Sequence, residues 1–383
     1  MGNSPSGDAV CDSDCVPCIT KFYSDQAWIE GRAEDQLIHV STLPGVRRVA
    51  AFPDLHPGKY GPVGCAILSA RLYPQLIGND IGCGMSLFQL DLPVRKLKAE
   101  KAADRLRSLE RAEVDENPER LEAAGLPQDL FVSALGTIGG GNHFCELQAV
   151  EEVLDADSIA AAAIDPDRAV LLVHSGSRGL GTQVFGAVSD AYKDGLDPAS
   201  EPGQTYLQDQ QRAVQWASLN REVIAHRAAL ALRADIRRLI DAPHNLLTAH
   251  GDLWLHRKGA AKADMPVVPL AGTRDSLSYL MRPATDAPDM LDSLAHGAGR
   301  KYDRGSMHGR VRKKKSDLAR LERTSFNGRV ICEDRDLLIE EAPKAYKNPA
   351  RVRDEIERSG IASCIASLRP IVTFKRARRE DRS

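Results

Sequence analysis

Arg168-Ala169-Val170-Leu171-Leu172-Val173-His174 is an unbroken run of β-branched and leucine side chains. It is too short for an ordinary helix and has no polar alternation, so it reads as a strand covered on both faces that delivers a histidine at its tip. Working outward, Val49-Ala50-Ala51-Phe52, residues 62–69 and residues 85–92 read as further strands. Pro53 stops the first of these, so that strand should feed a loop. Residues 95–125 are charged, with apolar residues at helical spacing. Thr205 to Leu239 keeps helical periodicity with no proline, which predicts one long helix. Strands are expected to return around 252–256, 266–271 and 371–375. No internal repeat or low-complexity linker divides the chain, so the expected fold is a single integrated α+β domain.

The 383 residues are 43% hydrophobic and carry a net charge of −2. That composition suits a globular chain and gives no global field to attract nucleic acid, so a nucleic-acid partner must be held by local patches. Two basic runs offer themselves, Arg310 to Lys315 and Lys375 to Arg379, although such runs are usually solvated faces. No run of about 18 apolar residues and no secretory leader is apparent, so the expected compartment is the cytoplasm, with no membrane partner. Met1-Gly2-Asn3-Ser4-Pro5-Ser6 fits a loose myristoylation pattern and is taken as chance. Eight cysteines are too few for a disulfide scaffold at this length. Cys11, Cys15 and Cys18 could hold a metal if a fourth ligand approached, but the plainer reading is a polar arm.

The densest chemical signal is Asn79-Asp80-Ile81-Gly82-Cys83-Gly84-Met85. An acid and a thiol three residues apart between glycines can point into one small space; alone, the segment would be a structural turn with a buried cysteine. Gly139-Gly140-Gly141-Asn142-His143 sets a histidine after a glycine run able to cradle phosphate, or is simply a flexible loop. His174-Ser175-Gly176-Ser177-Arg178 adds a ligand, two hydroxyls and a guanidinium, or is a polar turn after the strand. His244 ends the long helical region and is followed by His250, His256 and Lys258. In Ala295-His296-Gly297-Ala298-Gly299-Arg300 small neighbours leave the histidine accessible. Together these segments point to metal-assisted phosphoryl or nucleotidyl transfer. The mixed O, S and N donors of Asp80, Cys83, His143, His174 and His244 suit manganese, zinc or cobalt better than magnesium. No P-loop and no lysine-nucleophile motif is present, and His296 fits the part of covalent nucleophile.

As an ordered set, these motifs resemble the RtcB-type RNA-splicing ligases. The likeness runs from Pro53-Asp54-Leu55-His56-Pro57-Gly58 to Phe374-Lys375. It implies central mixed or antiparallel sheets surrounded by helices, with a polar arm over 1–20, a catalytic domain over 21–376 and a basic tail over 377–383. It implies two Mn2+ ions bridged by Cys83, one completed by Asp80 and His143 and the other by His174 and His244. His296 would attack the α-phosphate of GTP and carry GMP. Asn142 would touch the nucleotide phosphates and Glu146 the guanine edge. Ser278, Tyr346 and Lys375 would add guanylate contacts, Tyr346 by stacking, with Gly297, Ala298, Gly299 and Arg300 beside the nucleotide. Arg178 and Lys258 would hold the RNA terminal phosphate.

The implied reaction is GTP-dependent joining of RNA 3′-phosphate or 2′,3′-cyclic phosphate ends to 5′-hydroxyl ends. The alternative is a metal-dependent RNA-end phosphodiesterase or phosphatase without ligation. Ala271-Gly272-Thr273-Arg274-Asp275 departs from the family's common Gly-Ser/Asp-Met-Gly at the nucleotide pocket. The compact length resembles a bacterial branch encoded beside a release-factor-like protein, which implies RNA repair and, as partners, that protein or an archease-like activator.

Overall fold

The computed structural model describes residues 18–110, 117–189, 191–311 and 314–377. Its spine is a sheet ordered Val268–Leu270, Ser278–Pro283, Ala362–Arg376, Phe144–Val153, Arg168–Ser175, Gly84–Pro93, Ile236–Pro243, with Arg329–Cys332 pairing alongside Ala362–Arg376. A second sheet runs Cys18–Lys21, Val46–His56, Val63–Ser69, Leu253–Lys258, Asn245–His250, and a two-stranded piece joins Ala260–Lys262 to Ser293–Ala295. Pairing is antiparallel except where Cys18–Lys21 meets Val46–His56 and Arg329–Cys332 meets Ala362–Arg376. The expected α+β domain with mixed sheets and surrounding helices is the observed one. Among the described residues no helix is long and apolar enough to cross a membrane.

Burial on both faces accounts for the unbroken apolar run in the Arg168–Ser175 strand. Side chains alternate across a strand. Val170 and Leu172 therefore enter one core with Met85, Leu87 and Leu255, while Leu171 and Val173 enter another with Phe88, Ile224 and Ala228. The second core is roofed by the helix Glu201–Leu232. Ser200 caps this helix by accepting from the Gly203 N–H, and Pro202 sits in its first turn, where a missing N–H is harmless.

Two local expectations are corrected. The long helix stops at Leu232, where Arg233 adopts a left-handed conformation, and Ile236–Pro243 is a strand paired with Gly84–Leu90. Sheet pairing overrides a helical periodicity that ran on to Leu239. Pro53 does not end its strand either. Val46–His56 passes through it with the ladder to Val63–Ser69 interrupted between Ala51 and His56, the kind of irregularity that accommodates a residue without an N–H. The charged 95–125 segment holds the helices Ala99–Leu106 and Asn117–Ala123, with residues 111–116 outside the described chain. Cys18 is an exposed free thiol at the start of a strand. Cys11, Cys15 and parts of both basic runs also lie outside the described residues.

Candidate metal centre and nucleotide cavity

Four neighbouring strands bring four candidate ligands to one end of the spine sheet's strands. Cys83 precedes Gly84–Pro93, His143 precedes Phe144–Val153, His174 lies at the end of Arg168–Ser175, and His244 follows Ile236–Pro243. Because the strands alternate in direction, two starts and two ends fall together. The register fixes this, with His174 opposite both Met85 and Phe144. The side chains converge: Cys83 Sγ lies 3.3 Å from His143 Nε2 and 3.2 Å from His174 Nε2. His174 Nε2 lies 3.2 Å from His244 Nε2, and His143 Nε2 is 2.9 Å from Asp80 Oδ2. Thus the five sequence-predicted ligands are brought together, with Cys83 between two of the imidazoles.

The long helix holds this arrangement from behind through two adjacent buried residues. Arg221 donates to the Gly82 carbonyl at 2.8 Å and the Ser175 carbonyl at 3.0 Å, and is paired with Asp241 at 2.7 Å. Asn220 accepts from the Gly136 N–H at 2.7 Å and donates to the Thr137 carbonyl at 3.2 Å and the Gly176 carbonyl at 3.3 Å. One helical turn therefore ties down the loops beside three of the ligands.

The donor chemistry fits a borderline divalent cation. Burial and neighbouring cations push His174 and His244 well below the usual histidine range, which leaves both imidazoles neutral as ligation requires. Burial, with Asp80 nearby, pushes the Cys83 thiol well up, so a cation would have to displace its proton. For Asp80, burial opposes ionisation but His143, Cys83 and Lys258 outweigh it and hold the carboxyl low. Cys83, His143 and His174 alone present three donor atoms within 4.8 Å of one another.

The cluster forms one end of a cavity of 1310 Å³. Asn142, Glu146, Arg178, Lys258, His296, Gly297, Ala298, Gly299, Arg300, Tyr346 and Lys375 all line it. Ser278 lies behind the wall, accepting from Gly272 N at 2.9 Å and from Gln148 Nε2 at 3.1 Å. It supports the 271–275 loop and does not face the space. Arg178 and Lys258 stand beside the donor cluster: a Cβ at Gly139 would meet both Arg178 Nη1 and His143 Nδ1, and Lys258 donates to the Ile77 carbonyl at 2.6 Å, three residues before Asp80. Glu146 and Lys375 sit deeper. Burial raises the Glu146 carboxyl to about 7 against the pull of Thr373, Gln148 and Lys375. Burial lowers the Lys375 ammonium to about 8, with Glu341 acting against it. Lys375 donates to the His143 carbonyl at 2.9 Å.

His296 is the most tightly specified residue of the wall. Its ring lies 4.4 Å from that of His244. Nδ1 is 2.6 Å from the Gly259 carbonyl and 2.8 Å from Asp54 Oδ2. Both partners are acceptors, so Nδ1 carries the proton and the lone pair is left on Nε2. Asp54 also accepts from the His296 N–H at 3.3 Å and is wholly buried. Two glycines permit this packing. Gly259 has φ +60 and a Cβ there would meet Val63 at 2.5 Å; Gly299 has φ +70 and a Cβ there would meet the Asp54 carbonyl at 2.1 Å.

Sequence reading missed Asp54, Lys347 and Glu341. Lys347 donates to the carbonyls of Pro53 at 3.0 Å and Leu55 at 2.6 Å, clamping the backbone on either side of Asp54. Glu341 gathers Arg300 at 3.0 Å, Arg304 at 3.1 Å and the Tyr346 hydroxyl. Its sequence signal, a pair of acids Glu340-Glu341 after the apolar Leu337-Leu338-Ile339, does not say which of the two is buried. Burial works against its ionisation, yet Lys375, Arg300, Tyr346 and Arg304 prevail and hold it at about 2. A folded-state value below the usual 4.5 adds stability above that pH, lost as pH falls towards 2. Glu341→Ala should accordingly cost about 3–5 kcal/mol near neutrality, because two guanidinium groups lose their partner. In denaturant titrations the gap from the native chain should narrow in acid; a gap that is constant with pH would count against this account.

Fold and cavity together set a thiol–imidazole–carboxylate group able to hold a metal ion at the wall of a large cavity lined by arginines, lysines and glycine loops. A family model described as tRNA-splicing ligase RtcB matches residues 36–130 and 127–376. The chain belongs to that family, whose members are RNA ligases. It is 40% identical over 369 residues to the RNA-splicing ligase RtcB2 of Escherichia coli, covering 95% of this chain and 96% of that protein. It is 26% identical to the tRNA-splicing ligase RtcB of Methanococcus maripaludis, covering 94% and 96% respectively, and 27% identical to that of Archaeoglobus fulgidus, covering 91% and 92%.

Proposed function

We propose that this chain is a GTP- and Mn2+-dependent RNA ligase that joins 3′-phosphate or 2′,3′-cyclic phosphate ends to 5′-hydroxyl ends through a histidine–GMP intermediate at His296, in RNA repair. The observation that carries the reading is the placement of His296: its Nδ1 is committed to Asp54 and the Gly259 carbonyl, and it lines the same cavity as the metal cluster.

The residues divide the work. Asp80, Cys83, His143, His174 and His244 would hold divalent ions, which when bound supply charge neutralisation at phosphoryl oxygens. The Nε2 lone pair of His296 forms a bond to the α-phosphorus of GTP as the bond to the pyrophosphate oxygen breaks. Nδ1 keeps its proton throughout, and Asp54 offsets the positive charge that develops on the ring. An oxygen of the RNA 3′-phosphate then takes GMP from Nε2, restoring the neutral imidazole. The 5′-hydroxyl oxygen attacks the activated 3′-phosphate, GMP leaves and the hydroxyl proton passes to solvent. A cyclic phosphate end is first hydrolysed to a 3′-phosphate. Activation is needed because a phosphate monoester is a poor electrophile until it bears a good leaving group.

Arg178 and Lys258 suit the RNA terminal phosphate, Asn142 the nucleotide phosphates, and Glu146, Lys375 and Tyr346 the guanine. The cavity mouth adds features suited to a single strand. Trp28 is 45% exposed, with Lys301 lying 5.7 Å from its ring, and Arg310 stacks at 3.8 Å on Tyr302. Aromatic faces interleaved with cations bind unpaired bases and backbone.

Incubation with α-labelled GTP and Mn2+ tests the proposal. A covalent adduct is expected that is labile to acid and stable to alkali, as a phosphoramidate is. A chain that joins or cleaves RNA ends under the same conditions without forming an adduct would favour the phosphodiesterase alternative.

A further inference from the structure

Arg274 is a buried guanidinium with a spare donor. It lines the cavity and is 6% exposed. Its Nη2 donates to the Leu338 carbonyl at 2.9 Å, while Nη1 is buried with no hydrogen-bond partner among the described residues. Leaving such a group unmet costs free energy comparable to a lost charged hydrogen bond, so its place on a ligand cavity points to a partner that arrives with the ligand. The loop that carries it is held firmly. Thr273 N donates to Ser276 Oγ at 2.7 Å, Gly272 N donates to Ser278 Oγ at 2.9 Å, and Asp275 accepts from Ser325 N at 2.6 Å.

The position separates base from phosphate. Arg178 and Lys258, at the metal end, lie within electrostatic reach of Asp80 and Cys83. Arg274 instead feels Cys332, Tyr346, Glu341 and Asp275, and Lys375 feels Arg274. Its Nη2 bond to the Leu338 carbonyl sets it beside the segment that leads to Glu341 and Tyr346, which are themselves in contact. A nucleotide with its α-phosphate at His296 would put its base there. On the guanine edge O6 is an acceptor, where adenine carries an amino donor. Glu146, an acceptor once ionised, suits the N1–H and amino donors of the same base. This assignment rests on the guanylate-transfer reading above. We propose that Arg274 selects guanine, with its free Nη1 group donating to O6.

Equilibrium binding of GMP, IMP and AMP, none of which carries a pyrophosphate leaving group, gives the test. IMP keeps O6 and lacks the 2-amino group; AMP lacks O6. The native chain should bind GMP and IMP well above AMP. Arg274→Met, close in size and apolar, should weaken GMP and IMP alike by about 10–100-fold while leaving AMP unchanged, and Arg274→Lys should lose less. Retained Mn2+ binding reports that the variants fold. Unchanged GMP affinity in a folded Arg274→Met chain would overturn the proposal. So would an equal loss for all three nucleotides, which would assign the arginine to phosphate or to the wall. A native chain that binds GMP no better than AMP would sink the guanylate reading itself, and this inference with it.

Discussion

The His296→Ala chain is expected to form no guanylate adduct, and the Asp54→Asn chain to form it about 10²–10³-fold more slowly while binding GMP normally. Alanine removes the Nε2 that accepts GMP in the proposed reaction, so no transfer should remain at that position. The asparagine effect is smaller for a reason visible in the geometry. In a triad where the carboxylate alone sets the tautomer, its amide replacement costs about 10⁴. Here the Gly259 carbonyl, 2.6 Å from Nδ1, would still hold the proton on Nδ1. What asparagine removes is the negative charge facing the ring as it becomes cationic. Single-turnover adduct formation with labelled GTP, set against GMP affinity, separates the two contributions. Loss of GMP affinity together with rate would recast Asp54 as part of the pocket's framework.

Removing the central thiol should be as damaging by another route. Cys83 Sγ contacts both His143 and His174, so Cys83→Ala takes away the donor between two imidazoles. Metal affinity should fall by more than the roughly 10–100-fold typical of losing an outer-shell partner, with ligation falling in step. Titration with Co2+ gives a direct view, since a thiolate ligand produces a charge-transfer band that the alanine chain should lack. Full activity and an unchanged band in Cys83→Ala would eliminate the thiolate from the centre.

How far the chain could be read from its residues varies with the range of the signal. The buried strand ending at His174 was legible because a short run that is apolar on both faces suits a covered strand and little else. The candidate ligands could be picked out because each lies within two residues of a glycine or at a strand tip. The helix boundary at Leu232 was not, because Arg233 to Leu239 keeps a helical pattern and only pairing with Gly84–Leu90 makes the segment a strand. Asp54 and Glu341 were obscured for the opposite reason to the ligands. Asp54 is a lone acid in an apolar setting and Glu341 one of two adjacent acids after an apolar run, and the partners lie 242 residues away for Asp54 and 37–41 for the arginines of Glu341. Arg274 stood in a loop that departed from the family pattern, and only its burial and unmet donor give it a purpose.

The convergence of strand ends also bears on how the protein comes to exist. Cys83 and His244 belong to one candidate donor set, yet the second is synthesised long after the first, and the strand that leads to it, Ile236–Pro243, must pair with Gly84–Pro93 before the two can meet. In a zinc finger the ion gathers a few nearby ligands and drives folding. Here long-range pairing has to come first, and such pairing is slow. A nascent or misfolded chain would lack the assembled donor set, so a cation held by all of these donors at once would report a completed sheet.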